Sequence, residues 1–207
     1  MTDAFEMLGE PRRPWLSAEA LRGRFMEMSA AEHPDRFHGS EDSVRADAVR
    51  RYSALNEAHQ TLKEPRTRLL HLIELETGSK PRDIQKIPPG TMDLFVEVGQ
   101  LCRDVDSFLQ QRSQVVSPML KVRLFTEGMG WVEKLKALQG KVSAREAELD
   151  RELRALNDVW SSVPSPGSPG RVEALPMVRL EEIYRVMSYA NRWTGQIQER
   201  LVQLASN

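Results

Sequence analysis

The chain has 207 residues, room for one domain or two small ones at roughly 150 residues per domain. Its 29 Lys and Arg stand against 30 Asp and Glu, a formal net charge of -1, which removes the basic surplus expected of a nucleic-acid-binding protein. A hydrophobic share of 40% suffices for a packed core, and one cysteine, Cys102, excludes an internal disulfide framework or a multi-cysteine zinc or iron–sulfur site held by this chain alone.

Leu, Ala, Glu and Arg outweigh Val and Ile, and aromatics reach only 6%, a usage that favours helix over sheet. The opening residues, Met1-Thr2-Asp3-Ala4-Phe5-Glu6, predict neither a secretory signal nor an Arg-rich transit peptide. No apolar run nears the roughly 20 residues that cross a bilayer. The expectation is a soluble, cytoplasmic, all-α protein without a membrane partner.

Asp3 to Gly9 reads as a short helix closed by Gly9. Ser17 is a good N-cap for a helix bearing Leu21, Phe25 and Met28 on one face. That helix must stop near His33, because a residue before proline is biased out of the α region. A loop then carries His33-Pro34-Asp35-Arg36-Phe37-His38-Gly39. Beyond it Val44, Ala48, Leu55 and Leu62 mark a second long amphipathic helix, ended by Pro65, and a last short helix holds Leu69, Leu72 and Ile73. The layout is an antiparallel helix hairpin with short helices at each end.

Two breaks follow. Thr77-Gly78-Ser79-Lys80-Pro81 and Pro88-Pro89-Gly90 divide an N-terminal domain, residues 1–76, from a C-terminal one, residues 91–207. The second break, residues 161–170, is Pro- and Gly-rich and reads as a flexible loop between two helices. In the C-terminal part Leu94, Val98, Leu101, Val105 and Phe108 define one helix. Ser117-Pro118 opens a second, whose continuity Gly128, Gly130 and Gly140 threaten. Leu180, Ile183, Met187, Ala190, Ile197, Leu201 and Leu204 form the seam of a third, so the domain is expected to be a three-helix bundle.

The loop tripeptide His33-Pro34-Asp35 has a physical logic. Proline fixes an extended entry and removes a donor, so the flanking polar side chains project outward. Asp35 can accept paired hydrogen bonds from a partner arginine, and His33 offers a planar donor and acceptor. Arg22, Arg24 and Arg36 add positive charge suited to steering onto an acidic surface. Reading His33, Asp35 and His38 as a metal site is disfavoured, since one loop lacks the support such ligands need, and no metal or cofactor is expected. No nucleophile with a base, carboxylate pair or phosphate loop stands in a plausible context, so the chain is not read as an enzyme.

Asp3-Ala4-Phe5-Glu6-Met7-Leu8-Gly9, His33-Pro34-Asp35 and the run Leu55-Asn56-Glu57-Ala58-His59-Gln60-Thr61-Leu62-Lys63-Glu64-Pro65-Arg66-Thr67-Arg68 resemble, in this order and spacing, the J-domain of DnaJ-type co-chaperones. Phe37, the Leu-Asn-Glu-Ala-x-x-Thr-Leu-Lys-x-Pro run and Arg68-x-x-x-Leu72 are similar to the HscB family in particular. That family joins a J-domain to a C-terminal helical bundle. The resemblance implies docking of His33, Pro34 and Asp35, with Arg22, Arg24 and Arg36, on an HscA- or DnaK-type chaperone whose ATPase is thereby accelerated. It also implies delivery of the iron–sulfur cluster scaffold protein, held on an apolar and acidic patch of the first bundle helix, where Phe95 and Val96 match apolar positions.

Departures accompany the match. Glu32 stands where the family often has an aromatic residue, and Ser29-Ala30-Ala31 where Lys, Arg or Gln are common. Gly99, Gln100 and Arg103 fall where the family tends to have Leu and Glu. The altered patch leaves a different client, or a helical adaptor with an inactive J-fold, as alternatives.

Overall fold

The computed structural model describes residues 2–81, 87–88 and 90–206. Among them are eight α-helices and no strand: α1 (Ala4–Met7), α2 (Ala18–Ala31), α3 (Asp42–Lys63), α4 (Pro65–Thr77), α5 (Met92–Gln114), α6 (Pro118–Ser162), α7 (Arg171–Ala174) and α8 (Met177–Ala205). A 3-10 turn, Pro34–Phe37, joins α2 to α3. Pro89 of the first break lies outside the described residues. No helix among the described residues is long and apolar enough to cross a membrane.

The helices form two compact units, one of residues 1–83 with 150–184, the other of residues 84–149 with 185–207. Local signals set the first unit's boundaries. Asp3 caps α1, its Oδ1 accepting from the amides of Phe5 (2.9 Å) and Glu6 (3.3 Å), and Ser17 caps α2 through the amide of Ala20. Glu64 is extended, as a residue before proline should be, and Pro65 sits in the first turn of α4. Gly78, at φ 72°, closes that helix. Phe5, Leu8, Leu21, Leu62, Leu69, Leu72 and Ile73 form a fully buried core, each contributing about 1.5–3 kcal/mol. Val44, by contrast, is exposed; the buried stripe of α3 runs through Ala48, Leu55, Ala58 and Leu62.

Two buried polar residues hold the helix ends. Arg68 donates from Nε to the Pro14 carbonyl (2.9 Å) and from a terminal nitrogen to that of Leu62 (2.8 Å). Burial pulls its guanidinium down to about 10, still charged at neutral pH. His71 lies beside Phe5, and its Nε2 accepts the Ala4 amide at 3.0 Å, which only the neutral ring can do. Burial is the main cause of its lowered pKa. A histidine with a depressed folded pKa favours the unfolded chain once pH falls below the ordinary 6.5. The melting temperature is therefore expected to fall as pH drops from about 7 to about 5, and His71→Gln, which keeps an acceptor, should flatten that profile.

The first unit reaches past the break at residues 77–90 and takes in a segment that the sequence assigned to the C-terminal bundle. Asn157 pairs with both backbone groups of Trp15, each at 3.0 Å. The Trp15 indole donates to Asp150 (3.1 Å), with the Arg154 guanidinium 4.8 Å from the ring. α6 runs on through Ser162, two residues into the expected loop, and residues 163–170 then make turns, with Gly167 and Gly170 at positive φ, that lead into Arg171. Arg171 lies buried against Glu76 of α4 through two hydrogen bonds of 2.8 Å, and it also donates to the Pro164 carbonyl.

In the second unit α5, α6 and α8 contribute Val98, Cys102, Val105, Phe108, Leu135, Leu138, Val142, Ala190, Trp193 and Ile197 to one core. The three glycines do not interrupt α6. A glycine costs about 1 kcal/mol in a helix, and tertiary contact outweighs that here. Gly128 lies against the Phe108 ring, a Cβ position there being 3.6 Å from it, so this stretch of α6 packs on the core. Cys102 is buried, and desolvation pushes its thiol pKa up, the mark of a core residue rather than a reactive one.

Candidate functional site

Two steric rules build the corner between α2 and α3. α2 ends with the Glu32 amide bonded to the Met28 carbonyl at 3.0 Å. His33 then turns extended (φ -61°, ψ 129°), as its following proline requires. Pro34 starts the 3-10 turn, a position where its missing amide is no loss. The His33 side chain caps this turn: Nδ1 accepts the Asp35 amide at 3.3 Å. That geometry places the ring proton on Nε2. The ring also meets Tyr52 of α3 edge-on, with centroids 5.3 Å apart.

These contacts leave the carboxylate facing water. The side chain of Asp35 is 91% exposed and that of His33 44%, with Asp35 Oδ2 3.6 Å from His33 Nδ1. The turn thus presents two free carboxylate acceptors beside an imidazole donor, a set that suits the fork of a guanidinium. Phe37 is half-buried beneath the turn, with the Arg51 guanidinium 6.0 Å from its ring centre.

The three sequence-predicted arginines have different surroundings. Arg22 is exposed on α2 and lines a hollow of about 360 Å³ with Leu21, Phe25, Met26, His59 and Lys63. Arg24 is exposed too, but its guanidinium is engaged: it donates to the Gly9 carbonyl (2.9 Å) and lies 3.5 Å from Glu10. Gly9 is at φ 62°, and a Cβ there would stand 2.8 Å from the Arg24 terminal nitrogen, so the glycine admits both the turn and the guanidinium. Arg36 is exposed, with one 3.5 Å contact to the Ala30 carbonyl.

Sequence reasoning missed the partner of Glu32. Its carboxylate meets Arg51 of α3 at 2.8 Å, an ion pair that ties the two helices together where the corner begins. The charge that replaces an aromatic residue at that position thus has a structural use. Phe25 stacks on His59 at 4.1 Å, on the floor of the Arg22 hollow. The i, i+4 spacing of Arg22 and Met26 was the available signal for that hollow.

In the second unit Phe95 (41% exposed) and Val96 (57%) stand in the first turns of α5 and line one cleft with Gly99 and Arg103. Arg103 donates to Gln100, which donates in turn to Asp104, each at 2.8 Å.

No protein-family model matches the chain. The co-chaperone protein HscB of Proteus mirabilis is 38% identical over 74 residues, 36% of this chain and 43% of that protein, so this match spans less than half of the relative's length. The co-chaperone protein HscB homolog of Aliivibrio salmonicida is 30% identical over 168 residues, 77% of this chain and 93% of that protein. The chaperone HscB from Vibrio cholerae has the same fold, with a TM-score of 0.63 at 20% identity over 98% of this chain and 99% of that one. Human co-chaperone protein HscB aligns with a TM-score of 0.59 at 16% identity, over 96% of this chain and 81% of its own. Conserved length and identity in the Aliivibrio relative, with the all-α fold, settle the family: the chain belongs to the HscB family of J-type co-chaperones.

Proposed function

We propose that the His33-Pro34-Asp35 corner docks on an HscA- or DnaK-type chaperone in its ATP state and accelerates ATP hydrolysis there, while the second unit holds the iron–sulfur cluster scaffold protein through Phe95 and Val96. One observation carries the first half: the Asp35 carboxylate is almost wholly exposed on a turn whose shape His33 and Pro34 hold. A solvated carboxylate on a held turn can meet a partner arginine without breaking a bond inside this chain. Arg22 and Arg36 supply the steering charge, and Arg24, also exposed, supports the same face by bonding the Gly9 carbonyl. The corner acts on its partner's chemistry and contributes no reacting group of its own.

The second half is supported by two exposed apolar side chains at the head of α5. It is tested by calorimetric titration of the full chain with the scaffold protein. Micromolar binding that Phe95→Ala weakens by about ten-fold supports delivery of that client. Absence of binding assigns the bundle to another client and leaves the chaperone-docking half standing.

A further inference from the structure

The cleft beside Phe95 and Val96 has a chemistry of its own. It is a cavity of roughly 350 Å³ between α5 and α8, within the range of sites that bury part of a ligand. Aromatic rings make its wall: Phe95 meets Tyr189 edge-on at 6.3 Å, and Tyr189 lies 5.8 Å from Trp193. Its long polar side chains are Arg103, Arg192 and the neutral Gln196, so every charge lining it is positive. The Arg192 guanidinium stands 4.6 Å from the Tyr189 ring centre, and Arg103 reaches the opposite side from α5. Gly99 lies beneath the latter, a Cβ position there being 3.4 Å from the Arg103 terminal nitrogen.

No carboxylate lines this cleft among the described residues. The acids nearby on α5 are committed elsewhere: Glu97 to Lys141, Asp104 to Gln100 and Asp106 to Arg200. Arg103 bonds only to the amide of Gln100, and Arg192 only to the Ser188 carbonyl and its tyrosine, among the described residues. Two guanidiniums without counter-charges, flanking an aromatic wall, complement an apolar side chain followed by a carboxylate.

We propose that this cleft selects an acidic, apolar segment of the client protein, with Phe95, Tyr189 and Trp193 receiving the apolar side chain and Arg103 and Arg192 the carboxylates. This rests on the reading that the second unit holds a protein client, and it adds the charge rule by which that client is chosen.

The test uses the full chain and two fluorescein-labelled short peptides. Both have the same length and the same leucine and phenylalanine content, with glutamates between the apolar residues in one and lysines in the other. Anisotropy titration is expected to show the glutamate peptide binding about ten-fold more tightly than the lysine peptide. The double variant Arg103→Glu, Arg192→Glu should invert that order, while its far-ultraviolet spectrum and melting curve stay those of the parent. Equal binding of the two peptides, binding of neither, or an order that survives the charge reversal overturns the proposal.

A parallel titration with the scaffold protein separates this from the client reading. A glutamate preference without scaffold binding supports the cleft assignment and removes the scaffold as client. Scaffold binding with no peptide preference overturns the cleft assignment and leaves the scaffold as client.

Discussion

Asp35→Asn is expected to weaken binding of the ATP-state chaperone by about 100-fold while leaving the melting temperature unchanged. The substitution keeps the shape and removes the charge, so it converts a paired, charge-assisted contact with an arginine into a neutral one. Stability should be untouched because the side chain is solvated and its nearest polar neighbour, His33 Nδ1, is 3.6 Å away. The turn itself uses the Asp35 amide, which asparagine retains. Surface plasmon resonance in the presence of ATP, with a thermal melt alongside, gives both readings. Parent-like affinity in the variant would mean that the carboxylate faces water in the complex too.

Glu76→Ala carries the largest expected cost in stability, about 3–5 kcal/mol. Its side chain is 2% exposed and that of Arg171 5%, and the pair makes two parallel hydrogen bonds. Removing the carboxylate strands a guanidinium in a dry site with the Pro164 carbonyl as its remaining partner. Replacing both, as Glu76→Leu with Arg171→Met, should recover most of the loss, because a well-packed apolar pair avoids the desolvation that both charges suffer. Chemical denaturation of the three variants checks this. A double variant as unstable as Glu76→Ala would show that the charges, and not the packing volume, hold α7 against α4.

Local chemistry made the first half of the fold legible. The caps Asp3 and Ser17, the extended residues before Pro34 and Pro65, and the stripe from Ala48 to Leu62 are each set by neighbours within a few positions. The tripeptide was legible for the same reason, since proline and a capping imidazole act on the very next residues. Contacts that join distant stretches were not: Arg171 finds Glu76 across 95 positions, and Asn157 finds Trp15 across 142. Nothing in composition marks Arg171 as buried or Arg22 as exposed, because both are single charges beside apolar residues. Arg24 is surface charge as expected, but its bond to the Gly9 carbonyl joins positions 15 apart and could not be read locally. The glycines of α6 misled in the other direction, because propensity weighs a helix alone and this one is held by Phe108 and its neighbours.

The two units divide the proposed work. The first sets a carboxylate and an imidazole on a braced turn between two helices, and the second offers an aromatic cleft with a cationic rim. Single-turnover ATP hydrolysis by the chaperone, with the full chain and with His33→Gln, tests whether the corner acts on the chaperone. Faster hydrolysis is expected with the parent protein and the unstimulated rate with the variant, whose amide cannot reproduce the imidazole's cap and outward donor together. Equal rates with and without the parent, or equal acceleration by both proteins, would contradict it.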